Sequence, residues 1–302
     1  MLSMLQSAAC GLSLSLVLAV SPALAQSSPH DYTLWYRNYD NPAIKALVEL
    51  ALEKTSEYGA FTLSRSEEVT QGRALRELAA NRSQLLDIAN VATNPAREGS
   101  LNTIPIPIDG GLLGFRVCLV LPENLPLFDD ISNLEDLRRK GIRIGQGAHW
   151  PDTPVLRASG IEVITNTSYE LLFGMLKGKR FECFARGVNE VLFDLERREA
   201  LGLVIEPGLL LAYPMPSYLF TAPRDHETAQ RLELGLERSI EDGSFAHFLK
   251  NWYGLAVREL QLDERTMILL QNPDLSEESR DIGRRALESL DRRIRHLEDQ
   301  QP

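Results

Sequence analysis

The polarity pattern along the chain switches between two periods. "YTLWY" (32–36) reads as a strand. The next segment, "NPAIKALVELALEKT" (41–55), places Ile44, Leu47, Val48, Ala51 and Leu52 on one helical face. "FTLSRS" (61–66) is a second strand, "TQGRALRELAANRS" (70–83) a helix with Leu75 and Leu78 inward, and "LLDIANV" (85–91) a third strand. This βαβαβ order predicts a parallel sheet with helices on its faces.

A second set follows the strand "LLGFRVCLVLP" (112–122). The helix "NLEDLRRK" (133–140) is announced by Ser132 and Glu135 at capping-box spacing and stopped by Gly141. "IRIGQG" is a strand, "DTPVLRAS" a short helix and "IEVIT" a strand. "YELLFGMLKG" is a helix with a second box in Thr167 and Glu170. "FECFARG" is a strand, "VNEVLFDLERREA" a helix, and "LVIEPGLLLAYPMPSYLFTAP" (203–223) an extended return. Helices over 226–242 and 244–254 follow. Two βα sets joined by two extended segments predict two hinged lobes with a ligand cleft at the carboxyl ends of the strands. Lobe one takes 26–114 and the return 221–262, and lobe two takes 115–220. A charged helical tail takes 263–302, where Leu287, Leu290, Ile294 and Leu297 form a narrow apolar seam. That seam either lies against its own lobe or offers a helix-mediated contact through 276–299.

The first 25 residues read as a cleavable export signal. "LSLSLVLAV" is a short apolar core and "SPALA" sets small residues before Gln26, although no Lys or Arg precedes the core. The run is too short to span a bilayer as a stable helix, so the mature chain is expected in the periplasm. The 302 residues are 44% hydrophobic, enough for one or two domains. A net charge of −10 argues against a nucleic-acid partner but leaves room for an anionic small ligand held by a local cation. Beyond the signal stand two cysteines, Cys118 and Cys183, open either to pairing or to burial as free thiols.

Motifs of catalysis are not found: no Gly-x-Ser-x-Gly elbow, no His-Glu-x-x-His, no phosphate loop, and no Cys/His cluster with metal spacing. No catalytic residue, cofactor or metal is assigned, and the chain is read as a non-enzyme. "GQGAHW" has two glycines of a dinucleotide fingerprint, but Trp150 replaces the third. It reads either as a turn whose backbone N–H groups hold an anion or as plain turn chemistry.

The stretch "LLDIANVATNPAREGSLNTIPIPIDGGLLGFRVCLVLP", with "DISNLEDLRRKGIRIGQG", "YELLFGMLKGKRFECFARG" and the return crossing, resembles the family 3 extracytoplasmic solute-binding proteins of ABC transporters. The resemblance covers roughly residues 30–255 and is spread over many elements. It implies a two-lobed α/β fold of the type II periplasmic-binding class, each lobe a mainly parallel mixed sheet flanked by helices. It also implies capture of a small ligand, an organic anion or amino-acid-like molecule, for an inner-membrane ABC permease. The rival function on the same fold is a ligand-sensing or protein-interaction module independent of transport.

By that resemblance Arg97 matches the arginine that grips a ligand carboxylate, with Thr93 and Asn94 near the hydroxyl-bearing turn and Ala92 at one hydroxyl position. Where the family carries an ammonium-binding Asp, this chain has Gly187, flanked by Arg186, with Glu190 a turn later. Two cleft arginines then favour a ligand with more than one anionic group or a non-amino organic acid. Tyr36 offers a stacking wall, and His149 and Trp150 occupy the facing loop of lobe two.

Overall fold

Asn41 starts the first long helix by accepting from the N–H groups of Ala43 and Ile44, with Pro42 fitting the first helical turn. The structure, a computed structural model, describes residues 29–80 and 85–298, with side chains to 289. The export signal lies outside these residues, as do the side chains of Leu290, Ile294 and Leu297. In chain order the first half runs β1 (His30–Leu34), α1 (Tyr36–Tyr39), α2 (Pro42–Glu53), β2 (Phe61–Arg65), α3 (Gln71–Ala80), β3 (Ile88–Ala92), α4 (Pro95–Glu98) and β4 (Asn102–Ile104). There follow β5 (Phe115–Val120), α5 (Leu134–Arg139), β6 (Ile144–Gly147), α6 (Asp152–Ala158), β7 (Val163–Asn166), α7 (Tyr169–Lys177), β8 (Cys183–Gly187) and α8 (Val191–Glu196). The chain ends with β9 (Val204–Ile205), β10 (Leu209–Ala212), β11 (Ser217–Thr221), α9 (His226–Glu241), α10 (Ser244–Glu259), β12 (Thr266–Leu269) and α11 (Glu277–Glu298).

Two sheets result, each mixed as expected. The first has the order β2-β1-β3-β11-β4, with β1 parallel to β2 and β3, and β11 antiparallel to β3 and β4. The second has the order β12-β10-β5-β8-β6-β7, with β9 alongside β5. The sequence of α2 explains its packing. Leu47, Val48, Ala51 and Leu52 are buried, and α9 crosses so closely that Gly235 lies on the Ala51 backbone, where a Cβ has no room.

The lobes are joined where Gly114, before β5, meets Tyr213, after β10. The Tyr213 N–H donates to the Gly114 carbonyl at 3.0 Å, so the two crossings lie side by side. A third connection was not foreseen. After α10 the chain returns to the second sheet, and β12 pairs parallel to β10 as its edge strand. The segment from 263 is therefore not a wholly helical tail. "TMILL" escaped notice because five apolar residues without alternation carry no strand period, and the three-residue β4 is too short to show one.

From β12 the chain runs back over the joint as α11. Ser279 donates to Glu98 at 2.6 Å and lies 3.2 Å from the Tyr218 hydroxyl, while Gly283 packs on Pro214 and Pro216. The foreseen capping boxes also shift. Asn133, not Ser132, caps α5, and Asp136 answers Ser132. Glu170 makes no box with Thr167; it pairs instead with Arg198 at 2.8 Å. Cys118 and Cys183, on neighbouring strands β5 and β8, are joined in a disulfide, closing the question the sequence left open.

Candidate functional site

The carboxyl ends of β1 and β3 face those of β6 and β8 across a cavity of about 370 Å³, within the range of small-ligand pockets. Lobe one supplies Trp35, Tyr36, Arg37 and Asn90, and lobe two supplies Trp150, Tyr169, Arg186 and Glu190. Local bonds fix the lobe-one wall. The Trp35 indole N–H donates to the Val69 carbonyl at 3.2 Å. The Asn38 amide donates to the Asn90 carbonyl at 3.0 Å and accepts the Asn90 N–H at 2.8 Å, pinning α1 to β3.

The lobe-two wall is a buried charge network. Arg186, 2% exposed, lies between Asp194 at 2.6 Å and Glu190 at 3.0 Å, over the rings of Trp150, Tyr169 and Phe184. Arg116, 3% exposed, pairs with Asp152 at 2.6 Å and Glu190 at 3.5 Å. The Tyr213 hydroxyl donates to Asp152 at 2.8 Å, and the Tyr169 hydroxyl donates to Asp194. Burial opposes the charge on both arginines, but the facing carboxylates more than offset it and raise both pKa values. Burial likewise opposes ionisation of Glu190, yet Arg186 and Arg116 hold its pKa below the usual range. Five arginines and six carboxylates line the cavity, so the wall as a whole is close to neutral. An anion must be recognised locally or not at all.

Of the residues singled out by sequence, Tyr36, Trp150, Arg186 and Glu190 line this cavity. His149 instead lines a smaller side pocket next to Tyr36 and Arg37. Arg97, Thr93 and Asn94 do not line either pocket. Their polar groups are engaged within the protein. Thr93 donates to Glu98 at 2.6 Å, and Asn94 caps α4 by accepting the Arg97 N–H at 2.9 Å. The Arg97 guanidinium folds back on the Ala92 carbonyl and crosses to the His149 carbonyl at 2.6 Å. Burial lowers its pKa to about 10, with Asp152 opposing, so it stays charged at neutral pH.

The "GQGAHW" turn is not an anion cradle either. The Ala148 N–H goes to the Asn166 carbonyl at 2.8 Å and that of Trp150 to the Gly147 carbonyl at 3.0 Å. Its role is a contact between lobes: the His149 imidazole rests on Gly72 of α3, where a Cβ would lie 2.6 Å from the ring. At Gly187 the space for an acidic side chain is filled by Asn189, Glu190 and Arg116.

Arg37, Arg116, Tyr169, Asp152 and Asp194 belong to the site and were missed. Arg116 did leave a signal: it is the one charge inside the apolar run "LLGFRVCLVLP". A buried ion needs a buried partner.

Neither a family model nor a curated protein matches the chain. Solved structures do. An ancestral arginine-binding protein bound to glutamine aligns with a TM-score of 0.56 at 14% identity, covering 76% of this chain and 100% of its own. A structure from work on glutathione import via GshT in Streptococcus mutans aligns at 0.55 and 10% identity, covering 75% of this chain and 96% of its own. The GluR0 ligand-binding core with L-glutamate aligns at 0.52 and 11% identity, covering 75% and 99%. The fold is the two-lobed type II periplasmic-binding fold, with a C-terminal helix added.

Proposed function

We propose that this chain is an exported solute-binding protein that closes two hinged lobes on a small polar ligand bearing an anionic group and delivers it to an inner-membrane ABC permease. The observation that carries the reading is a cavity walled from both lobes at the strand ends, with aromatic faces and buried charges already in position. Several neighbours of the same fold are named for the amino acids they bind, which supports a ligand of that size. The disulfide supports an oxidising compartment. No helix among the described residues is long and apolar enough to cross a membrane.

Binding without chemistry suits the charge arrangement. Asp152, Glu190 and Asp194 are each held by arginine, which leaves them poorly placed to exchange protons with a substrate. The rival reading, an interaction module acting through 276–299, is weakened because Ser279 and Gly283 of that segment are engaged on the chain's own joint.

A thermal-shift screen of the mature protein against amino acids, hydroxy acids, dicarboxylates and sugars tests the proposal. A ligand at 100 times its Kd adds about 2.7 kcal/mol of stability, a readily measured melting shift. A protein that binds none of these compounds yet retains a partner protein through 276–299 would be an interaction module.

A further inference from the structure

Among the arginines lining the cavity, four meet a carboxylate: Arg116 with Asp152 and Glu190, Arg186 with Glu190 and Asp194, Arg198 with Glu170, and Arg197 with Asp40 at 4.0 Å. Arg37 has no salt bridge and no side-chain hydrogen bond among the described residues. Its guanidinium carbon lies 3.7 Å from the centroid of the Tyr169 ring and 5.5 Å from that of Trp35. At 3.7 Å the guanidinium is in direct cation–π contact with the Tyr169 ring. An aromatic contact satisfies none of the five guanidinium N–H donors with a conventional hydrogen bond, so they remain available to a carboxylate.

Two further atoms point to a ligand. Gln71 and Asn189 both line the cavity, and the side-chain carbonyl oxygen of each is buried without a hydrogen-bond partner among the described residues. A buried acceptor left unpaired is costly, and a small shift of either side chain would bring it to a ligand N–H or O–H in the cavity.

From these observations, and resting on the solute-binding reading above, we infer that Arg37 is the anion anchor of the cleft. The ligand class is a small monocarboxylate that also carries N–H or O–H donors, and Arg97 and Arg186 hold the protein rather than the ligand. One cation without a partner matches one negative charge. A second anionic group would face a wall whose other cations are already matched by carboxylates. The structure therefore favours fewer charges on the ligand than the two cleft arginines implied in sequence.

The test uses matched probes: L-amino acids, 2-hydroxy acids and short dicarboxylates, each against its primary amide, titrated calorimetrically into the full mature protein. Wild type should bind at least one monocarboxylate about 30-fold or more tighter than its amide. Arg37→Gln should bring that ratio to within about threefold, and Arg37→Lys should restore part of it. Arg97→Gln should weaken acid and amide alike and keep the ratio. Circular dichroism melts of each variant establish that it is folded. An acid-to-amide ratio that survives in Arg37→Gln overturns the assignment while leaving the solute-binding reading intact. So does a tenfold preference for dicarboxylates over monocarboxylates. Silence across the whole panel removes the solute-binding reading, and this assignment with it.

Discussion

Arg97 donates to the backbone carbonyl of His149 at 2.6 Å, tying the turn after β3 in one lobe to the turn after β6 in the other. A cation at the position matched to a ligand-gripping arginine thus serves as a latch between protein surfaces. Arg97→Ala removes donors from the Ala92 and His149 carbonyls in a place only 7% exposed. Stability in urea should fall by about 2–3 kcal/mol, since the loss leaves buried acceptors unsatisfied. An unchanged unfolding midpoint would show that the latch carries no load.

Gly72 allows a separate test of closure. Alanine favours the α3 helix by up to about 1 kcal/mol, yet its Cβ would meet the His149 ring. Gly72→Ala should therefore keep or raise thermal stability while lowering ligand affinity about fivefold, the size of a 1 kcal/mol strain on closing. Small-angle scattering should show a more open average shape. Identical scattering and affinity would mean the imidazole simply swings aside.

The Cys118–Cys183 disulfide predicts no free thiol in the unfolded, unreduced mature chain. Both cysteines are buried, at 1% and 0% exposure, so reductant should reach the bridge only on unfolding. The bridge spans 65 residues, for which the loop-entropy estimate is about 4 kcal/mol. Replacing both cysteines with alanine should lower stability by up to that amount. Two titratable thiols in the wild-type chain would dismiss the bridge.

Asp109, just before the joint, gives a pH signature. Its carboxylate accepts the N–H groups of Gly111 at 2.9 Å and Leu113 at 3.0 Å and the Asn189 amide of lobe two at 2.8 Å. Burial nevertheless raises its pKa to about 6, the N–H donors opposing. A native pKa above the unfolded value of about 3.9 means the folded state binds more protons between these values. The contribution of Asp109 to stability is thus greatest below pH 4, falls as pH rises to 6, and is level beyond. The total fall is about 3 kcal/mol. Measured by urea unfolding, the stability of Asp109→Asn relative to wild type should rise by about 2 kcal/mol from pH 4 to pH 7. A difference that does not vary with pH would contradict the raised pKa.

Much of this architecture is written in local periodicity. The helical face of α2 and the longer strands and helices through β8, though not the short α1, α4 and β4, needed only spacing, and Tyr36, Trp150, Arg186 and Glu190 stood at strand ends where a cleft forms. Pairings between distant residues were hidden. Nothing local brings Arg37 to Tyr169 or Asn189 to Asp109, because each contact exists only after the lobes meet. Arg97 shows the converse limit. The direction of its flexible side chain follows from which carbonyls lie in reach.

The interleaving of strands also sets when each lobe can finish folding. β11 lies between β3 and β4, so the first sheet stays incomplete until residue 221 exists, and the second gains its edge only at β12. At roughly 5–20 residues per second, the interval between synthesis of β3 and of β11 is on the order of ten seconds. During that time the β3 edge has no partner, and the non-local pairing that follows is intrinsically slow. For a chain exported through a membrane channel, as proposed above, this delay is an advantage. Under that proposal, completing both sheets late leaves the nascent chain time to reach the channel before it folds.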